Sequence, residues 1–261
     1  MKTHFLLLTL LLLAGTTFAQ THGFQLVKRP TENSTTGKRK AVVIGMSNYG
    51  AGKSLNNTLN DANDMAGALT RLGFKVTLLK DNDLQDLKTN LSNWYKSIGG
   101  NDTVVFYFAG SGIGVNGENY LIPRDAELNL QTDIKYNALN VNQVLDSMNE
   151  KRVGIKLLIF DTCFDIPFER DSERKVVVPA VSKDTFIAFA GSPIAQDGTN
   201  YNLQNGVFTY YLKQEILKSG ISLDEIFNNV ALDVSGLTGD QQTPFKISSL
   251  MRKFYFIPPQ N

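Results

Sequence analysis

Short apolar runs alternate along the chain with segments in which apolar residues recur every three or four positions. The runs are continuous and rich in β-branched and aromatic residues, which is typical of strands buried on both faces. They predict five strands, at residues 41–44, 75–79, 103–109, 155–160 and 185–190. Because helical segments lie between the strands, the pattern predicts an α/β fold with a mostly parallel central sheet and helices on both faces.

The helical spacing predicts five helices, at residues 59–72, 84–98, 141–148, 207–218 and 222–234. Asp83 is expected to cap the second helix, because a carboxylate there accepts a hydrogen bond from a free N–H group of the first turn. Ser222 and Glu225 have the spacing of a capping box at the start of the last helix. The glycines within residues 110–117 predict a turn, which an extended segment follows at 118–123.

The first residues have the pattern of a signal peptide. Lys2 precedes an apolar run at 5–14, and residues 17–19 supply a small-x-small cleavage pattern before Gln20. The run is too short to cross a bilayer, so no membrane insertion is expected. A lipoprotein needs a cysteine at the cleavage point, and the only cysteine is Cys163. The pattern therefore predicts a secreted or periplasmic protein.

Three segments are expected from these patterns. Residues 1–19 form the signal peptide, residues 20–38 form a polar and flexible lead-in, and residues 39–261 form a single domain. A charged stretch at 169–175 interrupts the alternation of strands and helices, which predicts an exposed loop.

Composition excludes several classes of function. The 26 basic and 25 acidic residues leave a net charge of +1, so there is no electrostatic basis for a nucleic-acid partner. One cysteine cannot form a disulfide framework, and two histidines, His4 and His22, cannot complete the usual zinc sites. No metal ion is expected.

Near the third predicted strand, a cofactor-binding motif and a serine-hydrolase motif are both excluded on physical grounds. Residues 112–117 fit the dinucleotide-binding pattern G-x-G-x-x-G, but the helix that must receive the pyrophosphate does not follow them. We therefore expect no cofactor. Ser111 does not fit the nucleophile of a serine hydrolase, because Ala109 and Ile113 replace the two glycines of that motif.

Candidate chemistry lies where the third and fourth strands are predicted to end, since catalytic groups collect at the carboxyl edge of a parallel sheet. Cys163 follows the fourth strand and is preceded by Asp161. Taken alone, Cys163 fits a small buried side chain as well as a reactive thiol. Asp61 likewise fits a first-turn acid that the helix dipole favours, with no further role.

Ten short motifs together carry a family resemblance. They are KAVVIG at 40–45, NY at 48–49, LNDA at 59–62, LGF at 72–74, FYFAGSG at 106–112, ENYLIP at 118–123, LIFDTC at 158–163, AGSP at 190–193, NGVFT at 205–209 and QQTP at 241–244. In this order, and over roughly residues 39–244, the chain resembles the caspase and metacaspase superfamily of cysteine peptidases, especially its bacterial members.

The resemblance implies a caspase-hemoglobinase fold with a cysteine–histidine dyad on neighbouring strand ends. The nucleophile falls on Cys163, and the backbone of Gly112 falls where the oxyanion is stabilised. In the metacaspase-like branch, substrates are cut after Arg or Lys, and the acids of the S1 pocket fall on Asp61 and Asp161. The resemblance also implies a large-subunit-like part at about 39–168, a linker at about 169–183 and a small-subunit-like part at about 184–261.

The chain departs from the family at the catalytic base, because Ser111 occupies the position of the dyad histidine. Serine cannot take the thiol proton near neutral pH. We therefore expect a pseudopeptidase whose partner is a peptide or protein with a basic residue. Two alternatives stay open: an active endopeptidase that cleaves after Arg or Lys with another base, such as His22, and a structural domain with an unused pocket.

Overall fold

The computed structural model describes residues 37–49, 54–165, 177, 179–191 and 195–260, with only the backbone of 163–165. The expected signal peptide at 1–19, all but the end of the lead-in and most of the 169–183 linker lie outside these residues. No helix in the described ranges is both long enough and apolar enough to cross a lipid bilayer.

One sheet organises the described part of the chain. Its strands are β1 Arg39–Gly45, β2 Lys75–Lys80, β3 Thr103–Val115, β4 Glu118–Leu121, β5 Leu139–Asn140, β6 Ile155–Asp165, β7 Thr185–Phe189 and β8 Phe245–Ser248. The main order is β2-β1-β3-β6-β7-β8, and every neighbouring pair is parallel except β7 and β8. β4 pairs antiparallel with β3, and β5 with β4. The predicted α/β class with a mostly parallel sheet is confirmed.

Helices cover both faces of the sheet. They are α1 Thr58–Arg71, α2 Leu84–Ser97, α3 Ile134–Asn137, α4 Val141–Glu150, α5 Val207–Glu215 and α6 Leu223–Thr238. Buried apolar residues of α1, α5 and α6 form the core on one face, and those of α2 and α4 form the core on the other. Neighbouring residues of β1 belong to different cores, since Val42 faces one and Val43 the other. This explains the continuous apolar run in the sequence.

The predicted helix starts are confirmed by their caps. The Asp83 carboxylate accepts a hydrogen bond from the Asp86 N–H at 2.8 Å. Ser222 and Glu225 form the reciprocal capping box at the start of α6. α5 ends at Glu215, three residues before the predicted boundary at 218.

The turn expected after residue 109 is wrong, because β3 continues to Val115. The added residues pair with β4 on one side and β6 on the other, which satisfies their backbone groups. The turn lies instead at Asn116 and Gly117, both of which have a positive φ. β6 likewise runs past its predicted end at 160 to Asp165. Residues 111 and 163 therefore lie within strands.

Candidate functional site

A cavity of about 200 Å³ opens at the carboxyl-terminal part of β3 and β6. Asp61 of α1 and Asp161 of β6 line it, together with Ser111 of β3 and two residues that precede α5, Asp197 and Gly206. The fold thus brings together three of the predicted site residues, Asp61, Ser111 and Asp161, from segments that are distant in sequence.

Asp61 enters the cavity from the first turn of α1 and is only 2% exposed. One carboxylate oxygen, Oδ1, accepts a hydrogen bond from the Gly206 N–H at 3.0 Å, and the side chain of Asn205 also hydrogen-bonds to the carboxylate. Burial, followed by the like charge of Asp161, raises the pKa of Asp61 to about 8 against the opposing effect of these donors.

Asp161 reaches the same cavity from β6 and is 9% exposed. Its Oδ2 accepts a hydrogen bond from the Thr209 hydroxyl at 2.6 Å, and the Thr209 hydroxyl is in turn bonded to the Tyr107 hydroxyl. Burial raises the pKa of Asp161 to about 6, although the bonds from Thr209 oppose this shift. Both shifts favour retention of a proton by the carboxylate pair.

Gly206 leaves the space between the two carboxylates open. A Cβ atom on this residue would lie 3.1 Å from Asp161 Oδ2 and 3.3 Å from Asp61 Oδ2. Both oxygens therefore converge on one point of the cavity wall. A guanidinium or ammonium group placed there would meet two carboxylates, whose ionised forms it would favour.

Ser111 and Cys163 are paired in the register of β3 and β6. The Ser111 N–H donates to the Tyr49 hydroxyl at 2.7 Å, and its carbonyl accepts from the Ile122 N–H at 3.0 Å. Gly112, the next residue, is paired with β4 and β6 and so lies inside the sheet. The oxyanion role of Gly112 and the nucleophile role of Cys163 stay predictions.

The side chain that hydrogen-bonds to the Ser111 N–H, Tyr49, does not replace a histidine as the base. Burial raises the pKa of Tyr49 to about 12, so its hydroxyl is a poor proton acceptor near neutral pH. A Cβ at Gly110 would lie 2.6 Å from the Tyr49 hydroxyl oxygen, so glycine there permits this close approach. Both histidines of the sequence, His4 and His22, precede residue 37 and lie outside the described residues.

Sequence reasoning missed three residues of this site. Asp197 lines the cavity and accepts a hydrogen bond from the Asn57 amide at 2.6 Å. Asn205 and Thr209 each bond to one of the two buried carboxylates. The last two belong to the motif NGVFT at 205–209, so the sequence indicated the segment but not the contacts.

The described residues contain no group of three or more His, Cys, Asp or Glu side chains arranged to hold a metal ion.

Comparison with known proteins identifies the family. The family model for the caspase domain, Peptidase C14, matches residues 38–255. The chain belongs to the caspase-domain family. This family match and the parallel sheet agree with the resemblance found in the sequence motifs.

Two similar proteins are the human and mouse forms of one protein. Human mucosa-associated lymphoid tissue lymphoma translocation protein 1 is 26% identical over 208 residues, which cover 76% of this chain and 24% of the human protein. Its homolog from Mus musculus is 24% identical over 207 residues, with the same coverage. The chain thus spans about a quarter of the length of these relatives.

Two solved insect caspases share the fold. The Drosophila initiator caspase Dronc superposes with a TM-score of 0.60 at 14% identity, covering 83% of this chain and 82% of that chain. Caspase-1 from Spodoptera frugiperda superposes with a TM-score of 0.61 at 17% identity, covering 85% and 91%. At these identities the likeness concerns the fold alone.

Proposed function

We propose that this caspase-domain protein is an exported pseudopeptidase that binds peptides through an Arg or Lys side chain. The observation that carries the proposal is the convergence of Asp61 and Asp161 on one cavity, which Ser111 also lines. The motif resemblance assigns Ser111 to the position of the family's histidine. The two acids of the proposed pocket are present, and residues 37–261 contain no histidine.

The charge of the pocket supports binding of a basic side chain. Two buried carboxylates disfavour each other when both are ionised, and a guanidinium between them removes that cost. Arginine also offers paired N–H donors in the geometry that carboxylates accept. Because their raised pKa values favour a proton on the pair, binding of a cation should release protons to the buffer.

Loss of the base supports binding without turnover. An unassisted cysteine is only a few per cent thiolate at pH 7. Removing one member of a catalytic pair typically costs a thousandfold or more in kcat. The backbone of residues 112 and 163 is insufficient for peptidase function by itself.

Calorimetry with two matched peptides tests this function. An acetylated tetrapeptide that ends in arginine amide should bind, whereas the version with citrulline, an uncharged isostere of arginine, should not. Asp61→Asn and Asp161→Asn should each weaken binding by about 1.5–3 kcal/mol, the range for a lost hydrogen bond to a charged group. Equal affinity for both peptides, or unchanged affinity in both variants, would exclude a basic-residue pocket.

A covalent probe separates the proposed binder from the two alternatives. The probe is an arginine peptide with a thiol-reactive end group. It should bind, but it should alkylate Cys163 no faster than a plain thiol reagent does. Selective alkylation at neutral pH would indicate an active endopeptidase instead. Neither affinity nor alkylation would indicate a structural domain.

A further inference from the structure

Three side chains form a closed set of hydrogen bonds between α1 and α5, next to the pocket. The ammonium group of Lys213 donates to Asp64 Oδ2 at 2.6 Å and to Asn205 Oδ1 at 2.6 Å. The amide nitrogen of Asn205 donates to Asp64 Oδ2 at 3.2 Å. Asn205 is 2% exposed, whereas the side chains of Lys213 and Asp64 are 25% and 46% exposed.

These bonds fix which end of the Asn205 amide points at the pocket. An ammonium group can only donate, so Lys213 holds the amide oxygen toward itself and leaves the amide nitrogen to face the carboxylates. The same side chain hydrogen-bonds to Asp61, which also accepts from the N–H of Gly206. Donors aimed at a carboxylate favour its ionised form.

We propose that Lys213 is a positioning residue for the pocket, which holds the Asn205 amide as a donor to Asp61 and thereby keeps that carboxylate able to receive a basic side chain. The inference rests on the proposed function, because it concerns the same pocket. Lys213 itself does not line the cavity that holds Asp61 and Asp161.

The charged groups around Asp61 determine how its ionisation should change when Lys213 is removed. Asp161 faces it from β6 and Asp64 from its own helix, and each disfavours a second negative charge nearby, whereas the buried Tyr107 hydroxyl on β3 stays protonated because its pKa is raised. Asp197 lines the same cavity. Without Lys213, Asp64 loses its cationic partner, and the Asn205 amide loses the donor to its oxygen and is held only through its nitrogen. Both changes oppose ionisation of Asp61.

A simple charge argument predicts the opposite result. Removing a cation close to an acidic pocket increases the attraction for a basic peptide. The positioning role predicts weaker binding at neutral pH, because the peptide must then ionise a less acidic carboxyl group. At alkaline pH, where Asp61 is ionised in both proteins, the difference should disappear.

Binding of the arginine tetrapeptide from pH 6 to pH 10 tests the inference on the full chain. Lys213→Met should weaken binding at pH 7 by about tenfold for each unit by which the pKa of Asp61 rises. The two affinities should converge by about pH 10. Lys213→Arg should restore the wild-type profile. Lys246→Met serves as the charge-matched control, because it breaks an ion pair with Asp224 on another part of the sheet and should leave the profile unchanged.

Three outcomes would overturn the inference: equal or tighter binding by Lys213→Met at pH 7, weakening by the same factor at every pH, or failure of Lys213→Arg to restore the profile. If Lys213→Met does not fold, Lys213→Leu removes the same charge and the same donor and is subject to the same criteria. Absence of binding by the wild-type protein would instead refute the proposed function.

Discussion

Ser111 and Cys163 lie directly opposite each other on two adjacent parallel strands, β3 and β6. Adjacent strands in a sheet are about 4.8 Å apart. The backbone therefore places the position of the expected nucleophile beside the position of the expected base. The expected departure from the family pattern, serine in place of histidine, therefore concerns the residue and not the backbone pairing at this location.

Ionisation of the Asp61–Asp161 pair should lower the stability of the empty protein as pH rises. The folded-state pKa of Asp61, about 8, exceeds its unfolded value, so the folded state binds the extra proton between these two values. The stabilisation is complete below about pH 4 and is lost as pH rises through 8. The Asp61→Asn variant lacks this ionisation. Its free energy of unfolding in urea, relative to that of the wild type, should therefore increase from pH 5 to pH 9.

Glu225→Gln provides a contrast in the same assay. The bonds from Ser222 lower the pKa of Glu225, so its contribution is present at neutral and alkaline pH and is lost only in acid. Its effect should therefore be constant from pH 6 to pH 9. A constant effect of Asp61→Asn over that range would contradict the account of the pocket charges.

Gly206→Ala should close the pocket while preserving the fold. The added methyl group would meet Oδ2 of Asp61 and of Asp161 at 3.3 and 3.1 Å. We expect affinity for the arginine tetrapeptide to fall by at least tenfold, measured by calorimetry. Gly236→Ala is the matched control: it lies in α6 with nothing within 4 Å of the new methyl group. That change should stabilise the helix by about 1 kcal/mol and leave binding unchanged.

Five strands of the sheet and its mostly parallel character were predictable from local sequence patterns, whereas the contacts of the pocket were not. Continuous apolar runs identified β1 and β6, and the Asp83 cap was predictable because a cap involves residues three positions apart. The short edge strand β8 gave no such pattern, because it has only four residues and none of them is buried.

The missed parts of the site depend on partners that are far apart in the chain. Asn205 and Lys213 contact Asp64 across 141 and 149 residues of sequence, so spacing alone could not reveal the hydrogen bonds among these three side chains. The glycines after residue 109 were misread as a turn because pairing on both sides of β3, not local propensity, keeps that segment extended.

The linker should stay intact in the purified protein. Arg170, Arg174 and Lys175 are basic residues in this stretch, which lies outside the described residues, and an active peptidase of the expected specificity could cleave after them. Because a pseudopeptidase cannot cleave itself, mass spectrometry after prolonged incubation should find one intact chain. Cleavage after any of these residues that disappears in Cys163→Ala would show that the dyad is not required.

Export should remove the first residues of the chain. The apolar run at 5–14 and the cleavage pattern at 17–19 predict a mature protein that begins at or near Gln20. N-terminal sequencing of the protein recovered from outside the cytoplasm tests this. Recovery of the chain with Met1 intact, only in the cytoplasmic fraction, would contradict the proposed export.

The amidase rate of Ser111→His, measured beside the wild-type protein, tests the central claim most directly. A histidine at 111 would stand beside Cys163 in the strand register, where it should lower the thiol pKa and transfer protons. We predict a gain of about a hundredfold on an arginine peptide amide, or about 2.7 kcal/mol in the barrier, with no activity in Ser111→His/Cys163→Ala. Substantial cleavage by the wild-type protein that depends on Cys163 would contradict the claim that this chain is a pseudopeptidase.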